Sequence, residues 1–214
     1  MARQSRVGWG RTVKGISHSG LSAGQIALMD ACPLFCIPPM QQHRPLVSPG
    51  RRWVMAADGL YLEARSLALH VMHKVCSLQT AFGEASSFLR TINGRVPQEL
   101  LDQCVALAVS AGDKETAALI HWNPKEGQYV LSTPDIISAG QAHVTYRDES
   151  DDELLVYDFH SHGHLPGYFS GTDDQSDLSR MGPYIAVVAG HCQNAESVKV
   201  CSRMCLSPYL VNLG

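Results

Sequence analysis

The residues best suited to chemistry fall in one short stretch, His160-Ser161-His162-Gly163-His164-Leu165-Pro166-Gly167-Tyr168-Phe169-Ser170-Gly171-Thr172-Asp173-Asp174. It follows directly on the apolar run Leu154–Phe159, a strand candidate. If the strand continues through the histidines, His160 and His162 point to one face, about 7 Å apart along the chain. Two imidazoles so placed can converge on one metal ion. Gly163, Pro166, Gly167 and Gly171 let the chain fold back and deliver a third ligand, for which Asp173 is the natural candidate. Two neutral imidazoles and one carboxylate hold Zn²⁺ and leave one tetrahedral position for water, the mark of a catalytic zinc. Ferrous iron in a two-His-one-carboxylate set is the chemical competitor. Against this stands the bland reading, since a His-x-His pair on its own is common and more often means two surface imidazoles.

The neighbours divide by the same geometry. Ser161 faces the other side of the strand, where sheet packing or a local hydrogen bond is expected. His164 falls after Gly163 and before Pro166-Gly167, so it belongs to a loop rather than to the ligand set. Asp174 is expected to cap the following helix, and Asp177 is a candidate partner for a ligand histidine. Tyr168 and Phe169 read as loop packing.

The elements that must carry this site are legible in part. Pro97-Gln98-Glu99 opens a helical pattern of Leu100, Leu101, Cys104, Val105, Leu107 and Ala108, and Gly112 supplies the stop. Ala117 to Trp122 and Gln128 to Ser132 read as a hairpin around Asn123-Pro124 and Gly127. His143 to Tyr146 is a short strand candidate. Tyr184 to Ala189 is continuous enough for a strand buried on both faces. Asp148 to Glu153 is an acidic run, read as a solvated loop. Strands separated by a helix predict an α/β domain over roughly 53–214. The expected organisation is a flexible basic extension over 1–52, the first part of the globular region over 53–96, and a catalytic-type domain over 97–214. Residues 1–52 earn that reading from seven basic residues against the single acid Asp30, together with Gly and Ser clusters and Pro38-Pro39.

Composition bounds the function classes. The 214 residues are 45% apolar and 17% charged, which suffices for a core and excludes a disordered chain. A formal net charge of -3 excludes binding nucleic acid through overall charge. No apolar run is long enough to cross a membrane as a helix. Seven cysteines, with no secretory leader pattern, point to a reducing, cytoplasmic setting with free thiols. Cys32/Cys36 and Cys201/Cys205 could together form a thiolate zinc site, but their spacing is looser than in most structural zinc knuckles.

Taken together, His160-x-His162, seven residues, Ser170, two residues, Asp173 matches the motif of the JAMM (MPN-plus) metalloproteases at every defined position, and the chain resembles the prokaryotic JAB branch of that family. The family also requires an upstream glutamate on or near a core strand. Lys114-Glu115-Thr116-Ala117-Ala118-Leu119-Ile120 looks like that segment, 45 residues before His160, whereas Glu99, Asp113 and Glu126 sit in poorer contexts. The resemblance covers about residues 97–200. Asp58-Gly59-Leu60-Tyr61-Leu62-Glu63-Ala64-Arg65 further resembles the bacterial PRTRC system protein A branch. Other metal and hydrolase patterns fit less well: metallo-β-lactamase His-x-His-x-Asp-His fails at 164 and 165, zincin His-Glu-x-x-His is absent, and no Gly-x-Ser-x-Gly elbow is present.

The resemblance implies a JAMM/MPN-like (cytidine-deaminase-like) α/β fold, a curved mixed sheet packed by helices with the zinc at the sheet edge. It implies one Zn²⁺ per chain on His160, His162 and Asp173, with Glu115 as general base and Ser170 as donor to the oxyanion. It also implies cleavage of an amide bond, isopeptide or linear, at the C-terminus of a ubiquitin-like or sulfur-carrier-like protein, and a ThiF/E1-like partner. The contrasting expectation is a catalytically silent scaffold of the same fold. A weaker third is a DNA accessory factor acting through the basic N-terminal segment.

Overall fold

The computed structural model describes residues 31–139, 144–147 and 151–213. Most of the basic extension and part of the acidic run expected at 148–153 lie outside these residues.

The first sheet has the order β1-β2-β3-β4-β5, formed by β1 (Leu34–Cys36), β2 (Gly50–Ala56), β3 (Gly59–Arg65), β4 (Leu69–Ser77) and β5 (Phe88–Thr91). Only β1 and β2 run parallel. Helix α1 (Gln98–Ala111) follows. Pro97 precedes its first turn and Gly112, at φ 69°, ends it. Then come β6 (Ala117–Asn123) and β7 (Gln128–Ser132), the expected hairpin, and the small pair β8 (Asp135–Ala139) and β9 (Val144–Arg147). The remaining elements are β10 (Leu155–Ser161), helix α2 (Gly171–Ser179), β11 (Tyr184–Gly190), β12 (Lys199–Leu206) and β13 (Tyr209–Asn212). The second sheet has the order β13-β12-β11-β10-β6-β7. β10 and β11 are its parallel pair, so α2 is the crossover that parallel pairing demands.

Register decides what faces what. His160 pairs with Val188, and Val188 with Cys201, so these three share one face of the second sheet. Phe159, Val187 and Ser202 share the other. Phe159 joins Cys104 and Ala108 of α1 in one core, which identifies the face that α1 covers. Leu62, Ala64 and Val71 of the first sheet pack with Met204 and Leu206 of β12 in another. The two sheets therefore share apolar contacts.

The structure corrects the boundary expected at residue 52. Leu34–Cys36 and residues 50–52 are strand residues of the first sheet, and Ile37 between them is fully buried with Val54, Ala56, Tyr61 and Met72. Their charges misled because two of the arginines are structural: Arg52 pairs with buried Glu63, and Arg51 donates to the carbonyls of Met181 and Ser207. Among the described residues, no helix is long and apolar enough to cross a membrane.

Candidate metal centre

β10 is a central strand, not an edge strand, so the histidines lie at its carboxyl end between β6 and β11 rather than on the sheet's lateral edge. The carboxyl ends of the parallel β10/β11 pair open a crevice where a crossover loop can return ligands. The strand proper ends at Ser161, but the ladder reaches one residue further, because the His162 N–H donates to the Ala189 carbonyl at 2.8 Å. His160 and His162 therefore keep the expected alternation, with ring centroids 5.3 Å apart.

Asp173 returns to the same place. One ligand atom each from His160, His162 and Asp173 lies within 4.8 Å of the others, the sole such group of three or more among the described residues. His160 Nε2 is buried without a hydrogen-bond donor or acceptor and stands 3.4 Å from Asp173 Oδ1. Burial holds the His160 pKa below its usual value, partly opposed by the Asp173 charge, which favours the neutral imidazole that binds metal. His162 is buried, and its Nδ1 lies 3.2 Å from the Pro166 carbonyl. A carbonyl only accepts, so Nδ1 carries the proton and Nε2 keeps its lone pair for a cation. An orphaned buried nitrogen, an oriented imidazole and a carboxylate together fit a zinc-type ligand set.

Helix α2 sets the position of Asp173. Ser170 is its N-cap: the Ser170 hydroxyl accepts from the Asp173 N–H at 3.2 Å, and the Ser170 N–H donates to Asp173 Oδ2 at 2.6 Å. One Asp173 oxygen thus closes the capping box while the other faces His160. Asp174, expected to be the cap, instead pairs with Arg203. The cap falls to Ser170 because it is the last residue in extended conformation before the helix. Asp177, expected beside a ligand histidine, accepts from the Tyr184 hydroxyl at 3.0 Å and from Arg203 Nε at 2.7 Å.

Glu115 lies two residues before the start of β6. His160 pairs with Ala117, the Ser161 N–H donates to the Thr116 carbonyl at 2.9 Å, and the Thr116 N–H donates to the Ser161 hydroxyl at 3.1 Å. One further step in this register sets Glu115 opposite His162. Glu115, 45 residues before His160 in the chain, thus lies two residues ahead of Ala117, the register partner of His160. Glu115 is 5% exposed; burial, reinforced by the Asp173 carboxylate, pushes its pKa up to about 7. Ser161 does what alternation predicts, fully buried on the opposite face and pinning Thr116.

His164 is exposed, beyond the left-handed Gly163 at φ 54°, and stands outside the ligand group. Tyr168 is exposed and sets its ring edge-on to His162 at 4.9 Å. It lines a groove of about 550 Å³ with Phe169, Cys201 and Arg203. All seven cysteines carry free thiols, and none joins a ligand cluster among the described residues. Arg203 escaped the sequence reading. Its only signal was a single cation at an inward position of an otherwise uncharged stretch, Val200 to Leu206.

The loop 163–167 is held by close backbone packing. The N–H groups of His191 and Cys192 donate to the Leu165 and Gly163 carbonyls, each at 2.9 Å. A Cβ on Gly190 would meet the Gly167 nitrogen at 2.0 Å and the Leu165 oxygen at 2.6 Å. Gly190→Ala is therefore expected to destabilise the fold by about 1–3 kcal/mol, read as a lowered urea midpoint.

Residues 97–203 match the family described as prokaryotic homologs of the JAB domain, and the chain belongs to that family. Residues 23–88 match a domain of unknown function, DUF2016. This second match spans β1 to β4 and begins within the segment expected to be a tail. A search of curated proteins finds no match.

Proposed function

We propose that the chain is a zinc-dependent metallopeptidase that hydrolyses an amide bond, isopeptide or linear, at the C-terminus of a ubiquitin-like or sulfur-carrier-like protein. The observation that carries this reading is the convergence of His160, His162 and Asp173 ligand atoms within 4.8 Å beside a buried carboxyl, Glu115, just ahead of the adjoining strand β6. A divalent cation held by these three residues supplies Lewis acidity, acidifying water and polarising a carbonyl. Glu115 accepts a proton from the attacking water and returns it to the leaving amine. The Ser170 hydroxyl accepts from the helix backbone, which leaves its own proton to donate to a developing oxyanion. The Tyr168 groove adjoins His162 and offers a mixed apolar and polar bed for an extended chain. By resemblance to the PRTRC system protein A branch, an E1-like protein is proposed as partner.

Metal content per chain, measured by elemental analysis of untagged wild type and His162→Ala, tests the site. One zinc in wild type, lost in the variant, is expected. Metal-free wild type would overturn the hydrolase reading in favour of a silent scaffold, and zinc surviving the substitution would show that His162 is not needed to hold it. Cleavage of a ubiquitin-like fusion by the zinc-loaded protein then tests the reaction.

A further inference from the structure

The inner face of α2 is not apolar. Of Gly171–Ser179, only Asp177 is buried and only Asp173 and Asp174 are half-buried, while every other residue is exposed. A nine-residue helix has little stability of its own, and packing of an apolar face normally holds such a helix in place. Here that contribution is small. Arg203 is 4% exposed on β12, and its guanidinium reaches the helix in its place. Nε and the terminal nitrogen both meet Asp177 Oδ2, at 2.7 and 2.6 Å, and the other terminal nitrogen meets Asp174. The guanidinium lies 3.8 Å from the Phe169 ring centroid, just before the N-cap Ser170. The Tyr184 hydroxyl, from β11, closes on Asp177.

We infer that Arg203 is the positioning residue for Asp173: it docks α2 through Asp174, Asp177 and Phe169, and so fixes where the third ligand carboxylate stands relative to His160. The inference rests on the proposed metal site. Three carboxylates line the inner face of one turn and a half of helix. Without Arg203, Asp174 and Asp177 would repel each other and the buried Asp177 would lack its cation. The helix would then relax toward solvent and carry Asp173 with it. A lysine is a compact point charge and does not span both carboxylates and stack on Phe169 as the planar fork does.

The test compares wild type, Arg203→Met, Arg203→Lys, Asp173→Ala and the Arg203→Met/Asp173→Ala pair. Zinc affinity is measured by chelator competition, and amide exchange of residues 171–179 is followed in the metal-free proteins. Arg203→Met is expected to weaken zinc binding about 10–100-fold, as loss of groups that orient ligands typically does. Arg203→Lys should recover only part of this. The pair should be scarcely weaker than Asp173→Ala alone, because Arg203 acts through Asp173. Additive losses, or wild-type affinity in Arg203→Met, would overturn the inference. The exchange readout does not depend on metal. Faster exchange over 171–179 in Arg203→Met supports the docking role even if wild type binds no zinc and the hydrolase reading fails, and unchanged exchange refutes it. Should Arg203→Met not fold, Arg203→Met/Asp177→Asn removes the buried charge along with its partner and serves the same comparisons.

Discussion

Glu115→Gln is expected to lower the proposed hydrolysis by about 10²–10⁴-fold, the usual contribution of a positioned general base, while zinc content stays at the wild-type level. The amide keeps the size and hydrogen-bonding reach of the carboxyl but cannot take a proton. Glu115 makes no contribution to the three-ligand group, so metal binding and proton transfer separate cleanly in this variant. Single-turnover cleavage of a ubiquitin-like fusion, with metal measured on the same sample, reads both. Loss of metal together with activity would make Glu115 a ligand or a structural support. Retention of activity would remove it from the reaction, and the next acid to test would be Asp113, whose backbone lies against Gly163.

The same substitution bears on the fold. Glu115 is buried, and the adjacent Thr116 is tied to Ser161 in both directions. A carboxyl whose pKa is raised in the folded state favours folding while protonated, so its contribution fades as pH rises through about 7. Glutamine is neutral throughout, so the metal-free variant should be at least as stable as wild type above neutrality. A variant unstable at every pH would show that the activity loss is not chemical.

Much of this site was readable because its determinants are local. The alternation that unites His160 and His162 depends only on a strand, and Leu155–Ser161 supplies one. The glycine-rich return and Asp173 lie within the next dozen residues, and the Ala117–Ser132 hairpin announces itself by its turn residues. What failed was non-local. Leu34–Cys36 is a three-residue strand between charges and prolines, and only its parallel pairing with Trp53–Met55 makes it part of a sheet. Arg203 lies 30 residues beyond Asp173, and no periodicity links them. Ser170 and Asp174 both carry capping side chains, and only the backbone conformation at 170 decides between them. The central position of β10 likewise follows from strand order, which alternation along one strand does not encode.

The largest stability effect is expected far from the metal ligands, at Glu63. This side chain is fully buried on β3. Its Oε2 accepts from Arg52 Nε at 2.8 Å and lies 3.0 Å from His43 Nε2. Its Oε1 lies 2.8 Å from His70 Nε2 and accepts from the Leu46 N–H at 2.9 Å. Arg65 and Arg90 reach the other ring nitrogen of His70 at 3.3 and 3.4 Å; an arginine only donates, so that nitrogen accepts and Nε2 carries the proton to Glu63. One carboxylate thus ties the 43–46 segment to three strands of the first sheet. Glu63→Ala leaves several buried donors unmatched and is expected to cost about 3–5 kcal/mol in urea unfolding, whereas Asp152→Ala, at an exposed pair with Arg180, should cost about 1 kcal/mol or less. Burial alone would raise the Glu63 pKa, but the bonds from His43, His70, Leu46 and Arg52 outweigh it and hold the group well below the usual carboxylate range. The unfolded chain therefore binds the proton first as pH falls. The stabilisation is complete above the unfolded value of about 4.3 and is lost as pH drops through the lower folded value. Glu63→Gln carries no such charge, so the gap in unfolding free energy between it and wild type should be widest near neutrality and shrink between about pH 4 and pH 2. A gap constant across that range would mean that shape rather than charge holds the 43–46 segment in place.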